Sequence, residues 1–204
     1  MKCLIMVQSG MLDLKGCQFR MNTSATDRKK AACLVQMQDT TTHIIQCIFK
    51  NTHVGSGFAA GVFINRGNSL INNCQFDKLQ GGGIISLLKS NNIFICRDSA
   101  FISCRTAGIY GQGDSAPVIC SNVFMMNKCP GIVLSNRCDG SIIINEFNLN
   151  NKAIMVINNQ SCIYGNRIQN TADIGIVAQC TYPLPDSNKK IEQCSPLIMR
   201  NWIE

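Results

Sequence analysis

A three-residue phrase closing on an aromatic side chain recurs along the chain, and its spacing restricts the fold more than any other feature. It reads CQF at 17–19, CIF at 47–49, CQF at 74–76, SAF at 99–101, NVF at 122–124, NEF at 145–147 and NRI at 166–168. The intervals between the closing residues shorten from 30 to 27, 25, 23, 23 and 21. Five residues before each closing position the chain carries Leu14, Ile44, Ile71, Cys96, Ile119, Ile142 and Ile163, all apolar. Two residues before it come Cys17, Cys47, Cys74, Ser99, Asn122, Asn145 and Asn166. A fixed period with one apolar and one small polar column is the mark of a repeat architecture in which each unit is completed by its neighbours.

A second phrase opens each unit: Cys3-Leu4-Ile5, Cys33-Leu34-Val35, Gly61-Val62-Phe63, Gly83-Ile84-Ile85, Gly108-Ile109-Tyr110, Gly131-Ile132-Val133, Ala153-Ile154-Met155 and Gly175-Ile176-Val177. Units of 21 to 25 residues are too short for helical repeats, and the Leu columns of leucine-rich repeats are missing. Short segments of β-branched and aromatic residues punctuated by Asn, Gly and Ser read as strands and turns. The expectation is an all-β parallel solenoid of about eight rungs, with like residues stacked about 4.8 Å apart. In such a stack a buried Asn column satisfies itself from rung to rung. Cysteine in the same column reads as a small buried hydrophobe.

Residues 1–180 are expected to form this domain and 181–204, with three prolines, a C-terminal capping tail. Insertions at 23–31 and 52–60 read as loops. The first rung begins at once after Met1 and has no cap. Its open edge calls for cover by a partner or by more of a larger protein.

The Asn-x-Phe turn followed by Gly-Ile-Val resembles the repeats of the right-handed parallel β-helix proteins of the pectin-lyase-like superfamily, over roughly residues 3–180. The resemblance implies a right-handed coil. Intracellular proteins of similar character include the β-helix regions of F-box ubiquitin-ligase subunits and of Shc SH2-domain-binding proteins, which implies a binding module. Extracellular ones are polysaccharide lyases, glycosidases and phage tail spikes, which implies a carbohydrate-active alternative.

Chemistry is sparse in the sequence. Asp114 and Asp139 lie ten and eight residues before their closing Phe, in GQGDSAP and NRCDGS, and are the one acidic pair that could serve as acid and base. Asp in such turns is also expected for its own backbone hydrogen bonds. The Asp-Asp, Gly-His-Gly and Arg-Ile-Lys phrases of polygalacturonases are missing, and the two histidines, His43 and His53, lie in early rungs. GSGFAAG departs from the dinucleotide spacing, with Ala at 60. Thirteen cysteines form no CxxC pair and no zinc pattern. No cofactor or metal is therefore expected. With no secretory signal or apolar span in view, the cysteines point to an intracellular, cytoplasmic protein. The net charge of +7 is spread over 19 basic residues with two short runs and few interleaved aromatics, which argues against nucleic acid.

The residues two places into each opening phrase are all apolar: Ile5, Val35, Phe63, Ile85, Tyr110, Val133, Met155 and Val177. If the preceding column faces inward, strand alternation sends this one outward as a stripe roughly 35 Å long. Exposed apolar surface on that scale marks an interaction site. The leading expectation is a non-enzymatic scaffold or protein-recognition module, acting within a larger assembly, that binds protein partners through Phe63, Ile85, Tyr110, Val133 and Met155. A glycan partner belongs to the alternative.

Overall fold

The computed structural model describes residues 2–21, 32–51, 59–87, 92–180 and 195–204. The loops expected at 23–31 and 52–60 lie outside the described residues, except that Ala59 and Ala60 already belong to strand Ala59–Asn72. The chain coils through three strand stacks. The first runs from Lys2–Val7 through Gly82–Leu87, Ile109–Gln112 and Ile132–Ser135 to Ile176–Gln179, and the second from Gly10–Lys15 through Phe94–Arg97 and Val118–Cys120 to Leu197–Met199. Two 14-residue strands, Ala32–Ile45 and Ala59–Asn72, continue across both stacks and join them into one 14-stranded sheet. The third stack, from Gln18–Met21 to Trp202–Ile203, is an 8-stranded sheet of its own. Every pairing is parallel and in register, so the all-β parallel solenoid is the fold of this chain. The described residues form about five turns of this coil, fewer than the eight or so rungs expected.

The closing Phe column forms the spine of the core. Phe19, Phe49, Phe76, Phe101, Phe124 and Phe147 stack face to face with ring centroids 4.7 to 4.9 Å apart and planes within 9° of parallel. That distance is the strand spacing itself, so the rings take their offset from the backbone. Ile168 and Ile203 continue the column. The turn from the second to the third stack is two residues long, and its first residue is left-handed in every rung: Gly16, Gln46, Asn73, Asp98, Ser121, Ile144, Gly165 and Arg200 have φ between 51° and 65°. The second turn residue is the Cys, Ser or Asn column. Asn122 Nδ2 donates to Asn145 Oδ1 at 3.1 Å and Asn145 Nδ2 to Asn166 Oδ1 at 3.0 Å. The sharp corner therefore costs no unpaired buried amide.

The last described residues continue the second and third stacks. Leu197–Met199 pairs with Cys162–Tyr164, and Trp202–Ile203 with Arg167–Gln169. Asn201 accepts from Asn166 Nδ2 at 2.9 Å. The phrase Ile198-Met-Arg-Asn201-Trp-Ile203 thus repeats the apolar, Asn and closing columns, and with Ile176–Gln179 it supplies the last strand of each stack.

Candidate functional site

The outer face of the first stack carries the expected row, with a one-residue correction in the early rungs. Val35 stands opposite Val62, not Phe63, and Gln36 stands opposite Phe63. Ile5 stands opposite Val35 and Met6 opposite Gln36. The offset of 27 residues here is the one that separates Phe49 from Phe76. Aligning Cys33 with Gly61 slips the register by one, which exchanges the two faces. Ile5 and Val35 therefore belong to the inward column with Val62, Ile84 and Ile109. The outward row is Met6, Gln36, Phe63, Ile85, Tyr110, Val133, Met155 and Val177.

From Phe63 to Val177 this row is apolar without interruption. Its members are half-buried, and Val133 is 9% exposed. Ladder stacking accounts for much of this, because each side chain covers the flank of the next. Two residues further on, a second outward row reads Asn65, Leu87, Gln112, Ser135, Ile157 and Gln179. Tyr110 ties the two together: its hydroxyl donates to Gln112 Oε1 at 3.0 Å and lies 3.5 Å from Ser135 Oγ. The face thus presents an apolar ridge beside a band of hydrogen-bonding groups.

Asp114 and Asp139 flank one bridge between adjacent rungs, and each has its own partner. Ser115 bridges to Cys138, so Asp114 lies beside Arg137, and its Oδ1 is 3.0 Å from Arg137 Nε. Asp139 Oδ1 accepts from the Gln160 backbone N–H at 2.6 Å. Each carboxylate is exposed and engaged with its own neighbour on the next rung. His43 Nδ1 lies 2.8 Å from Asp13 Oδ1 on the second stack, away from both aspartates, and the two side chains are largely open to solvent. His53 lies outside the described residues. No cluster of His, Cys, Asp or Glu among the described residues has the geometry to hold a metal ion. A shallow groove of about 550 Å³ follows the corner between the second and third stacks, lined by Gln46, Asn73, Gln75, Asp98 and Ser121 over the cysteine column. It holds one carboxylate, Asp98, and no second acid or base to work with it.

Sequence reasoning missed a second amide ladder three residues after the Phe column. Asn127 Nδ2 donates to Asn150 Oδ1 at 2.8 Å and to the Phe101 carbonyl at 3.1 Å, while its own Oδ1 accepts from the Cys104 N–H. The signal was present as Leu79, Cys104, Asn127 and Asn150, each three places after a Phe. These residues serve the corner that leads into the first stack.

Parallel in-register stacks, a Phe spine and asparagine corners define a β-helix repeat protein. The family described as "Right handed beta helix region" matches residues 2–168, and the chain belongs to it. No curated protein and no solved structure shows significant similarity to the chain.

Proposed function

We propose that the chain is a non-enzymatic, intracellular β-helix scaffold that binds a protein partner on the outer face of its first stack, as a subunit of a larger assembly. One observation carries the reading: Phe63, Ile85, Tyr110, Val133, Met155 and Val177 form a continuous apolar row across successive rungs, flanked by Gln112 and Ser135. Strand alternation would put polar residues on a solvated outer side, and the row instead offers the apolar centre and polar rim of an interface. The F-box and Shc-binding β-helix regions are the kind of module this resembles. A carbohydrate-active reading lacks a comparable observation, because Asp114 and Asp139 are each spoken for by Arg137 and the Gln160 amide.

The test is a quantitative affinity capture with wild type and a Tyr110→Asp/Val133→Asp double variant, each checked for an unchanged β-sheet circular dichroism spectrum. Partners recovered with wild type are expected to fall at least tenfold with the variant. Equal recovery by two equally folded proteins removes the face from the account, and binding of the wild type to a glycan array revives the alternative.

A further inference from the structure

Cysteines stack on cysteines at few places in the described chain, and two of them join the same pair of rungs. Cys3 stands opposite Cys33 in the first stack. Cys17 precedes Gln18, whose partner is Ile48, so Cys17 stacks on Cys47 at the corner between the second and third stacks. Within each pair the two side chains occupy matching positions on neighbouring strands and interact. Cys47 Sγ also leans toward the first rung, 3.6 Å from the Leu14 carbonyl. In both pairs the first-rung partner is half-buried and the second-rung partner is buried.

We propose that Cys3 with Cys33 and Cys17 with Cys47 are peroxide-sensitive oxidation sites that close two disulfides and staple residues 2–21 onto the rung above. In-register strands place the Cα atoms about 4.8 Å apart, inside the range a disulfide accepts. The Cβ atoms must close from about that spacing to roughly 4 Å, a small shift. The first rung can make it, since among the described residues it pairs on one side only, and Leu4, Met6 and Met11 are 65%, 49% and 66% exposed.

The chemistry balances with a hydroperoxide as oxidant. Its O–O bond breaks at the half-exposed sulfur of Cys3 or Cys17, one oxygen staying as a sulfenic acid and the other leaving as water or alcohol. The stacked sulfur of Cys33 or Cys47 then attacks; the S–S bond forms, the S–O bond breaks, and hydroxide departs with the thiol proton as water. Each pair gives two electrons to one peroxide. The half-exposed thiols of Cys120 and Cys162 lack this arrangement. Cys120 stands between Arg97 and Ile143, and Cys162 between Ser141 and Leu197. Cys74, Cys96 and Cys104 are buried beyond the reach of an oxidant.

The experiment exposes the reduced full chain to a small molar excess of hydrogen peroxide, then alkylates remaining thiols. Intact mass before alkylation is expected to fall by about 4 Da, two hydrogen atoms for each link. Digestion with a protease that cuts between Cys33 and Cys47 is expected to recover Cys3 joined to Cys33 and Cys17 joined to Cys47. The oxidised protein should melt several degrees higher, reversibly with dithiothreitol. Cys3→Ser and Cys17→Ser, both on the exposed rung, should each lose one link and keep the other, while Cys120→Ser keeps both. Addition of 16 or 32 Da at Cys3 or Cys17 without a link, links to other cysteines, intermolecular dimers or absence of reaction would each overturn the proposal, and so would two correct links with an unchanged melting temperature.

Discussion

A Cβ placed on Gly108 would lie 2.7 Å from Cδ1 of Phe124 and 2.6 Å from the carbonyl oxygen of Gly131. The opening glycines of Gly61, Gly83, Gly108 and Gly131 are thus set by the Phe spine, because in each case the ring that closes the same rung fills the space. No left-handed φ is involved at these four positions. Where the spine changes to Ile168, the column carries Ala153, and the space at Gly175 is bounded by Ile203 at 3.2 Å and Ile168 at 3.4 Å. Gly108→Ala is expected to destabilise the fold by about 2 to 3 kcal/mol through overpacking against backbone and ring. Gly175→Ala should cost well under 1 kcal/mol. Urea unfolding of the two variants decides it; equal midpoints would mean that the rings do not set this column.

The Asn corner makes a different demand. Asn145 Oδ1 accepts from both the backbone and side-chain amides of Asn122, and Asn145 Nδ2 donates to the Ile119 carbonyl at 2.9 Å and to Asn166 Oδ1. Asn145→Leu fits the volume but leaves the Asn122 amides and the Ile119 carbonyl buried without that partner. The expected loss is about 3 kcal/mol or more, read from the urea midpoint. In the early rungs the column is cysteine and the bonds are weaker: the Cys47 N–H reaches Cys74 Sγ at 3.4 Å. Cys74→Asn is expected to be tolerated or mildly stabilising, and a loss of several kcal/mol would show that this corner cannot accept an amide.

These two columns explain what the sequence could reveal. Phe and Asn recur at a fixed place because ladder contact rewards identity between rungs, so fold class and spine are visible as repetition. Register in the first rungs was not visible, because Cys3 and Cys33 imitate an opening glycine; only the pairing of Val35 with Val62 settles it. The closing phrase at 198–203 was hidden by a different cause. Residues 181–194 separate it from the previous unit and break the interval, although Ile198, Asn201 and Ile203 keep the columns. The candidate face could be read from Phe63 onward. The separate partners of Asp114 and Asp139 could not, since they depend on the register set by the single bridge from Ser115 to Cys138.

Ile144 is a β-branched residue at φ 53° in the turn column, and its side chain is 62% exposed. Left-handed backbone costs a β-branched residue about 1 to 2 kcal/mol, and exposure leaves little burial to offset it. Its counterparts Asn73 and Gly165 are residues that accept this conformation. Ile144→Asn is expected to raise stability by about 1 kcal/mol, measurable as a higher thermal midpoint. A lower midpoint would mean that the Ile144 side chain contributes packing that outweighs the strain.

Alkaline pH should unfold this protein through its buried thiols. Burial pushes Cys104 up from 9.0 to about 12, with the Asp77 charge adding to the effect, and does the same for Cys138, with Asp139 adding. Cys74 rises to about 11, again chiefly by burial. In the unfolded chain these groups lose their protons near the ordinary value, while in the folded chain they hold them, so above that value the unfolded state binds fewer protons. Stability is then full below about pH 8, and falls as pH rises from about 9 toward 12, by about 1.4 kcal/mol per pH unit for each such thiol. Urea midpoints between pH 7 and 10.5 should show this decline, and Cys104→Ala or Cys138→Ala should flatten it by one thiol's share while lowering stability at neutral pH through the lost packing. A midpoint that stays constant to pH 10.5 would mean that solvent already reaches these sulfurs in the folded chain.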